Sequence, residues 1–104
     1  MTNEKFTEIS KQMMKNCFEL LTYKGQDYTN GNIDVLHNFK KTASNVELTP
    51  LQVWSVYFQK HIDAIHTYIQ KGELKSETID SRIQDAINYL LLLHGLVEEN
   101  KTIK

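Results

Sequence analysis

The fold of this protein is decided by the stretch from Ser76 to Leu93, which has the sequence SETIDSRIQDAINYLLLL. Apolar residues recur in it at spacings of three and four, which predicts a long amphipathic helix. One face is apolar throughout, and the opposite face is polar in the first half only. The apolar face consists of Ile79, Ile83, Ala86, Ile87, Leu90, His94 and Val97, and the polar face consists of Glu77, Ser81, Gln84, Asp85 and Asn88.

The second half of this helix is apolar all round, because Leu91, Leu92 and Leu96 continue the apolar surface. A helix of that kind is normally buried on every side. We therefore expect it at the centre of a helical bundle or in a subunit interface, and we expect a homo-oligomer formed through this last helix. Polar groups beside such a buried zone suit either a small-molecule site or a polar contact between helices.

Two further helices precede the middle of the chain. Apolar residues at helical spacing predict a first helix from about Asn3 to Lys24, which begins at a Thr2 or Asn3 cap and ends at Gly25. After a loop rich in glycine and asparagine, a short helix is expected over residues 35–45, with Asp34 as its N-cap.

The third helix has the clearest start in the sequence. Thr49, Pro50 and Gln52 form a capping-box pattern, and Gly72 follows the last expected helical residue, Lys71. Ser76 is then the expected cap of the last helix, which should end near Glu99. The apolar face of the third helix comprises Trp54, Tyr57, Phe58, His61, Ile65 and Tyr68. Together these patterns predict one all-α domain over residues 1–104, a small antiparallel bundle of three long helices and one short helix.

Composition excludes several classes of protein. The formal net charge is −1 and the basic residues are dispersed, which argues against binding to duplex DNA. The one lysine pair, Lys40-Lys41, is expected on a solvated face. The only cysteine, Cys17, lies in an apolar helical row, so we expect it buried and in a reducing compartment. The sequence shows no signal peptide after Met1 and no apolar run near the roughly 20 residues that span a bilayer, which favours a soluble cytoplasmic protein without a membrane partner.

Histidine 61 and Lys60 are the first candidates for a binding site. His61 is either a core histidine bonded to a neighbour or, together with Lys60, a group that meets a phosphate or a base. The aliphatic stem of Lys60 can cover apolar surface while its ammonium group reaches a site.

The polar face of the last helix gives a second set. Glu77, Asp80 and Asp85 are candidate Mg²⁺ ligands, because carboxylates on one helix suit an ion that takes oxygen ligands. The alternative is that they are surface charges, with Glu77 stabilising the start of the helix. Asn88 lies on the same face, and Arg82, near Tyr89, is placed to pair with a carboxylate or a phosphate.

Three residues at the end of the first helix form a third set. Tyr28 can stack on a base, Asp27 can accept a hydrogen bond from a base or sugar, and Lys24 adds a positive charge; capping and turn roles are the alternative. Asn38 and Phe39 begin the short helix, and the ring of Phe39 suits either the core or a stacking contact. No zinc spacing, nucleophile elbow or glycine-rich phosphate loop occurs, so covalent catalysis is not expected.

In combination, these segments resemble the family called nucleotide-modification-associated domain type one, a helical family often found in phages. The resemblance covers residues 20–98 and rests on Lys24-Gly25-Gln26-Asp27-Tyr28, Asp34 to Phe39, Thr49-Pro50, Lys60-His61, Ser76-Glu77, Arg82, Asp85 and Asn88-Tyr89. It implies a nucleotide-related role in a phage or prophage, and therefore a location in the host-cell cytoplasm.

A more distant similarity is to the MazG-like and dimeric dUTPase group of all-α nucleoside triphosphate pyrophosphohydrolases. That group binds Mg²⁺ through an E-x-x-E pair on one helix and an E-x-x-D pair on the next. Here the only acid of the third helix is Asp63, and Asn88 follows Asp85 where an acid is expected. Metal-dependent hydrolysis needs several carboxylates to hold its cations.

Three hypotheses follow from the sequence. The first is a phage-type protein that holds a nucleotide or nucleotide-derived signal between helices, sequestering it from host defence. The second is a Mg²⁺-dependent nucleotide pyrophosphohydrolase, with Lys60 or Arg82 stabilising phosphate charge. The third is an interaction module that binds no small molecule. The candidate ligand-binding residues are Lys24, Asp27, Tyr28, Asn38, Phe39, Lys60, His61, Arg82, Asp85, Asn88 and Tyr89.

Overall fold

The computed structural model describes residues 1–28 and 34–103, with the side chains of residues 1–23 and 34–101. All regular secondary structure in those residues is α-helical, which confirms the predicted class. The helices are α1 (Asn3–Tyr28), α2 (His37–Val46), α3 (Pro50–Lys71) and α4 (Ile79–Ile103). Three are long and one is short, as the sequence predicts.

Helix α3 begins and ends where its capping signals place it. The Thr49 hydroxyl accepts a hydrogen bond from the Gln52 amide at 3.1 Å, and the Gln52 side-chain oxygen accepts one from the Thr49 amide at 2.9 Å. At the other end Gly72 has a φ of 77°, a left-handed conformation that glycine adopts without steric cost. Each of these signals depends only on residues close in sequence, which is why the prediction is confirmed.

The predicted end of α1 at Gly25 is wrong, because the helix continues to Tyr28. A glycine inside a helix costs only about 1 kcal/mol relative to alanine, so neighbouring helical residues can carry the helix through it. The predicted start is confirmed, since the Thr2 hydroxyl accepts a hydrogen bond from the Lys5 amide at 3.0 Å.

The predicted starts of α2 and α4 are each displaced by a few residues. Helix α2 begins at His37, and the Asp34 carboxylate accepts a hydrogen bond from the Leu36 amide at 2.9 Å in the turn before it. Helix α4 begins at Ile79, because the Thr78 hydroxyl accepts from the Ser81 amide at 3.1 Å and takes the capping role expected of Ser76. It also runs beyond Glu99, to Ile103.

The main core lies where α2, α3 and α4 meet. Helix α3 packs against α4 and α2, and α1 packs against α4. The indole Nε1 of Trp54 donates a hydrogen bond of 2.6 Å to the Tyr89 carbonyl oxygen, which joins α3 to α4. The buried core residues are Leu36, Phe39, Ala43, Val53, Trp54 and Leu96.

Lysine 40 is not on a solvated face, contrary to the expectation for the Lys40-Lys41 pair. Its ammonium nitrogen lies 2.6 Å from the Asp34 carboxylate and 2.5 Å from that of Glu99, so it ties the start of α2 to α4. Its neighbour Lys41 is exposed.

Two expectations about apolar faces are only partly met within one chain. In α1, Cys17 is fully buried, but Phe6 is 60% exposed. In α4, Leu96 is buried, whereas Leu90 is 50% exposed, so the second half of the helix is not buried on every side of a single chain. None of the helices in the described part of the chain combines the length and apolar character needed to cross a membrane.

Candidate functional site

The candidate site is centred on His61, which lies midway along α3. His61 is 5% exposed, and neither of its ring nitrogens has a hydrogen-bond partner. Its ring centroid lies 4.6 Å from that of Tyr89 on α4, with 45° between the ring planes. The histidine therefore faces the helix that carries more of the predicted ligand-binding residues than any other described helix does.

The environment of His61 favours the neutral imidazole. Burial lowers the pKa of His61 below its ordinary value, because the charged form loses contact with water. The charges of Asp85 and Glu77 raise the pKa of His61, and those of Lys60 and Arg82 lower it, but burial has the largest effect. A neutral imidazole offers one hydrogen-bond donor and one acceptor.

Asparagine 88 is the second buried polar side chain of the site. It is 6% exposed, and its Oδ1 atom has no hydrogen-bond partner. Leaving a buried acceptor unpaired costs about 1–3 kcal/mol, and most buried polar groups in proteins are bonded to protein or to water. Asn88 precedes Tyr89, whose ring lies against His61, so α3 and α4 each hold a buried polar group without a partner within one residue of this ring contact.

Arginine 82 and Glu77 form an ion pair at the edge of this region. The Arg82 Nε atom lies 3.3 Å from a Glu77 carboxylate oxygen, although the N–H bond is not aligned for a hydrogen bond. The same oxygen accepts a hydrogen bond of 3.3 Å from the Ser81 hydroxyl. An open cleft of about 450 Å³ at the connection between α3 and α4 includes Glu77 in its lining.

Helix α1 contributes Cys17 to the same region, which the sequence alone did not indicate. The Cys17 thiol donates a weak hydrogen bond to the Gln84 carbonyl oxygen at 3.9 Å. Burial, and to a smaller extent the charge of Asp85, raises the pKa of the Cys17 thiol. The thiol is therefore protonated and unreactive. Its position in the apolar row of α1 predicted burial but not the contact with α4.

The structure brings together four of the predicted ligand-binding residues. The rings of His61 and Tyr89 are in contact, and the charges of Arg82 and Asp85 act on His61. Asn88 is buried on α4 next to Tyr89 in the chain.

The remaining candidates lie elsewhere. Lys60 is exposed on α3, and Asn38 is half-buried on α2. Phe39 is 6% exposed and lies in the core, with its ring centroid 6.1 Å from those of Tyr57 and Tyr89. The side chains of Lys24, Asp27 and Tyr28 lie outside the described residues.

The candidate metal ligands are dispersed. Glu77 lies just before α4 and pairs with Arg82, Asp80 is exposed in the first turn, and Asp85 is half-buried beyond it. Among the side chains that the structure describes, no three His, Cys, Asp or Glu residues are placed to hold one metal ion.

Comparison of the chain with protein-family models, with curated proteins and with solved structures gave no match. The similarity to the phage family therefore remains a prediction from the sequence.

Proposed function

We propose that this protein binds a nucleotide or a nucleotide-derived signal between its helices and holds it without cleaving it. The observation that carries this proposal is a set of buried side-chain atoms without hydrogen-bond partners, namely both ring nitrogens of His61 on α3 and Oδ1 of Asn88 on α4. A ligand that supplies those partners gains hydrogen bonds without first displacing bonds within the protein. In the free protein the unpaired groups cost free energy. Ligand binding removes that cost, which makes the binding free energy more favourable.

The chemistry of the two side chains suits an uncharged, hydrogen-bonding part of a ligand. A neutral imidazole and an amide oxygen offer donors and acceptors to a nucleobase edge, and the Tyr89 ring against His61 adds an aromatic wall. Positive charge lies further out, at the half-buried Arg82 and the exposed Lys60. The ligand would therefore insert its base toward His61 and Asn88 and leave its phosphates at the edge.

The last turns of helix α1 contain three further residues that the sequence predicts for the site. This helix packs against α4 through Cys17, and its last turns contain Lys24, Asp27 and Tyr28, which we include in the proposed site on the basis of the sequence. Together with the resemblance to a phage family, this set favours a protein that sequesters a nucleotide signal from host defence in the host-cell cytoplasm.

The dispersed placement of the carboxylates favours a protein that holds its ligand over one that hydrolyses it. Hydrolysis by two metal ions needs several acidic ligands in one place. In the described residues Glu77 is engaged by Arg82, and Asp80 lies in the exposed first turn. A Mg²⁺-dependent pyrophosphohydrolase with Glu77, Asp80 and Asp85 as ligands is the alternative that the experiment must separate.

The test is to purify the protein from cells that carry nucleotide signals, denature it, and identify released molecules by mass spectrometry. Thermal unfolding against a nucleotide panel, with and without Mg²⁺, follows. A bound ligand at 100 times its Kd should stabilise the protein by about 2.7 kcal/mol. An intact ligand supports the proposal, whereas cleaved product that requires Mg²⁺ and disappears in Asp85→Asn supports the pyrophosphohydrolase. No released ligand and no stabilisation across the panel would leave only the interaction module.

Two finer features of the architecture belong to the same proposal. The short connection of residues 72–78 favours an antiparallel arrangement of α3 and α4. The exposed apolar residues of α4 favour a homo-oligomer formed through that helix.

A further inference from the structure

Helix α4 has an outer row of residues that is exposed at Asp80 and from Leu90 to Lys101, and half-buried at Ile83 and Ile87. The row contains Leu90, 50% exposed, and Val97, 36% exposed, and Leu91 beside it is 39% exposed. The side chains buried deepest in this helix, Leu96 and Asn88, lie off this row. Helix α4 thus buries an asparagine and exposes leucines, whereas an amphipathic helix of a monomeric protein buries its apolar residues and exposes its polar ones. The outer row consists of Asp80, Ile83, Ile87, Leu90, His94, Val97 and Lys101.

We propose that the outer row of α4 packs against the same row of a second copy of this chain. The two helices run antiparallel about a two-fold axis beside Leu90 and Leu91, so that Asp80 pairs with Lys101 of the partner subunit. This proposal is independent of the nucleotide-binding proposal, because it uses the opposite side of α4.

The spacing of the outer row is the first argument. Successive members are separated alternately by three and four residues from Asp80 to Lys101. That alternation is the heptad repeat that places one narrow stripe of a helix against another helix at a crossing angle of about 20°. Four of the five inner members are aliphatic, as the seam of a coiled coil requires.

The charges at the two ends identify the partner as a second copy. The row begins with the exposed Asp80 and ends with the exposed Lys101, at equal distances from the midpoint between Leu90 and Leu91. A two-fold axis at that midpoint brings each acid to a base, whereas a parallel arrangement brings like charges together. Within its own chain Lys101 pairs with Glu98 at 2.9 Å, but both groups are more than half exposed, so this pair is weak.

Exposed apolar side chains of α1 and α4 supply a large part of the area that a stable interface needs. Phe18, 69% exposed, and Met14, 48% exposed, lie on α1 within one turn of Cys17, whose thiol contacts the Gln84 carbonyl of α4. With Leu90, Leu91 and Val97 they expose apolar surface on the order of 500 Å². That is a large part of the roughly 800 Å² that each partner buries in a stable interface.

The first test measures mass in solution by light scattering and sedimentation velocity. The wild-type chain is expected to be a dimer at about 50 µM, a concentration that populates complexes of micromolar Kd. Leu90→Glu should weaken the dimer by at least about 100-fold, since it places a carboxylate in the seam. Val56→Glu is the matched control, because Val56 is 63% exposed on α3, outside the outer row, and should leave the dimer intact. Circular dichroism checks that both variants keep their helices.

The second test reverses the charges at the ends. Asp80→Lys and Lys101→Asp should each weaken the dimer by about tenfold, and the double variant should recover most of that loss. Recovery supports the antiparallel pairing, and its absence overturns that pairing. A wild-type chain that is monomeric at about 50 µM, or a dimer that survives Leu90→Glu, overturns the interface itself.

Discussion

The ring centroids of His61 and Tyr89 lie 4.6 Å apart, and the backbone carbonyl oxygen of Tyr89 accepts a hydrogen bond of 2.6 Å from the indole Nε1 of Trp54. Helix α3 thus contacts the side chain of Tyr89 through His61 and the backbone of Tyr89 through Trp54. The preceding residue of α4, Asn88, is buried. The candidate site is therefore part of the packing between two helices, and changes in it affect both stability and binding.

Replacing Asn88 with leucine should separate these two effects. The substitution removes a buried oxygen that has no partner, so the ligand-free protein should gain about 1 kcal/mol of stability. For a chain of this size that corresponds to a rise of about 4–8 °C in Tm, measured by circular dichroism after removal of any ligand. The stabilisation by a bound nucleotide should disappear at the same time.

The control for this variant is Asn45→Leu, an exposed position on α2. It should change stability by less than about 0.5 kcal/mol and leave ligand stabilisation intact. If Asn88→Leu destabilises the protein by more than that amount, the oxygen of Asn88 has a partner in solution, and the site does not need a ligand to satisfy it.

The stability of the wild-type protein should fall as the pH drops below about 6.5, the ordinary pKa of histidine. The pKa of His61 is lowered in the folded state, so below that pH the unfolded chain binds more protons than the folded chain does. The contribution of His61 to stability is therefore complete above the pKa of the unfolded state, and it is lost as the pH falls toward the pKa of the folded state. One proton gives a slope of at most about 1.4 kcal/mol per pH unit.

Urea unfolding of wild type and His61→Gln at a series of pH values from about 5 to 8 measures this effect. The slope of the free energy of unfolding against pH should be smaller in His61→Gln than in wild type. It should be unchanged in His66→Gln, which replaces an exposed histidine on the same helix. Equal slopes in wild type and His61→Gln would mean that His61 titrates normally in the folded protein.

Lysine 40 should stabilise the packing of α2 against α4. Lys40→Met removes two ion pairs, to Asp34 and Glu99, and should lower the free energy of unfolding by about 1 kcal/mol, since all three side chains are only about one-third exposed. Lys5→Met, which removes an exposed pair with Glu8 at 3.9 Å, should have a smaller effect. Thermal unfolding at neutral pH measures both.

This contribution of Lys40 should also depend on pH in the acid range. The hydrogen bond from Lys40 lowers the pKa of Asp34 in the folded state. The stabilisation is therefore present above 3.8, the pKa of Asp34 in the unfolded state, and is lost as the pH falls through the pKa of the folded state. The difference between wild type and Lys40→Met should therefore narrow below about pH 4. A difference that stays constant would show that the ion pair is not its source.

Replacing Trp54 with phenylalanine should cost about 2 kcal/mol, because it removes the hydrogen bond to Tyr89 and part of the ring that stacks on Phe58 at 4.6 Å. Urea unfolding followed by circular dichroism measures this cost. Tyr57→Phe, which removes only a hydroxyl bonded to Thr42 at 3.3 Å, should cost less than 1 kcal/mol. Similar losses in the two variants would contradict the role given to the indole bond.

Local sequence signals located both ends of α3, through the capping box at Thr49 and the turn at Gly72, and the helical period of each segment is confirmed. The local cap signals at Asp34 and Ser76 placed the starts of α2 and α4 two residues too early. The burial of Cys17, Trp54 and His61 also followed from their positions in apolar rows. The end of α1 was wrong because the helical residues around Gly25 outweigh the propensity of a single glycine.

By itself the sequence determined the four helices of the described residues, the bounds of α3 and a set of polar residues near a core. Only the tertiary structure decided which face of α4 is turned inward, since a helix with leucines on several sides can dock in more than one orientation. The orientation found here buries Asn88, places the Tyr89 ring against His61, joins Lys40 to Glu99 and leaves Leu90 on the outside. Those contacts link residues far apart in the chain, and the free energy that selects among them comes from packing whole helices together, which periodicity within one helix does not contain.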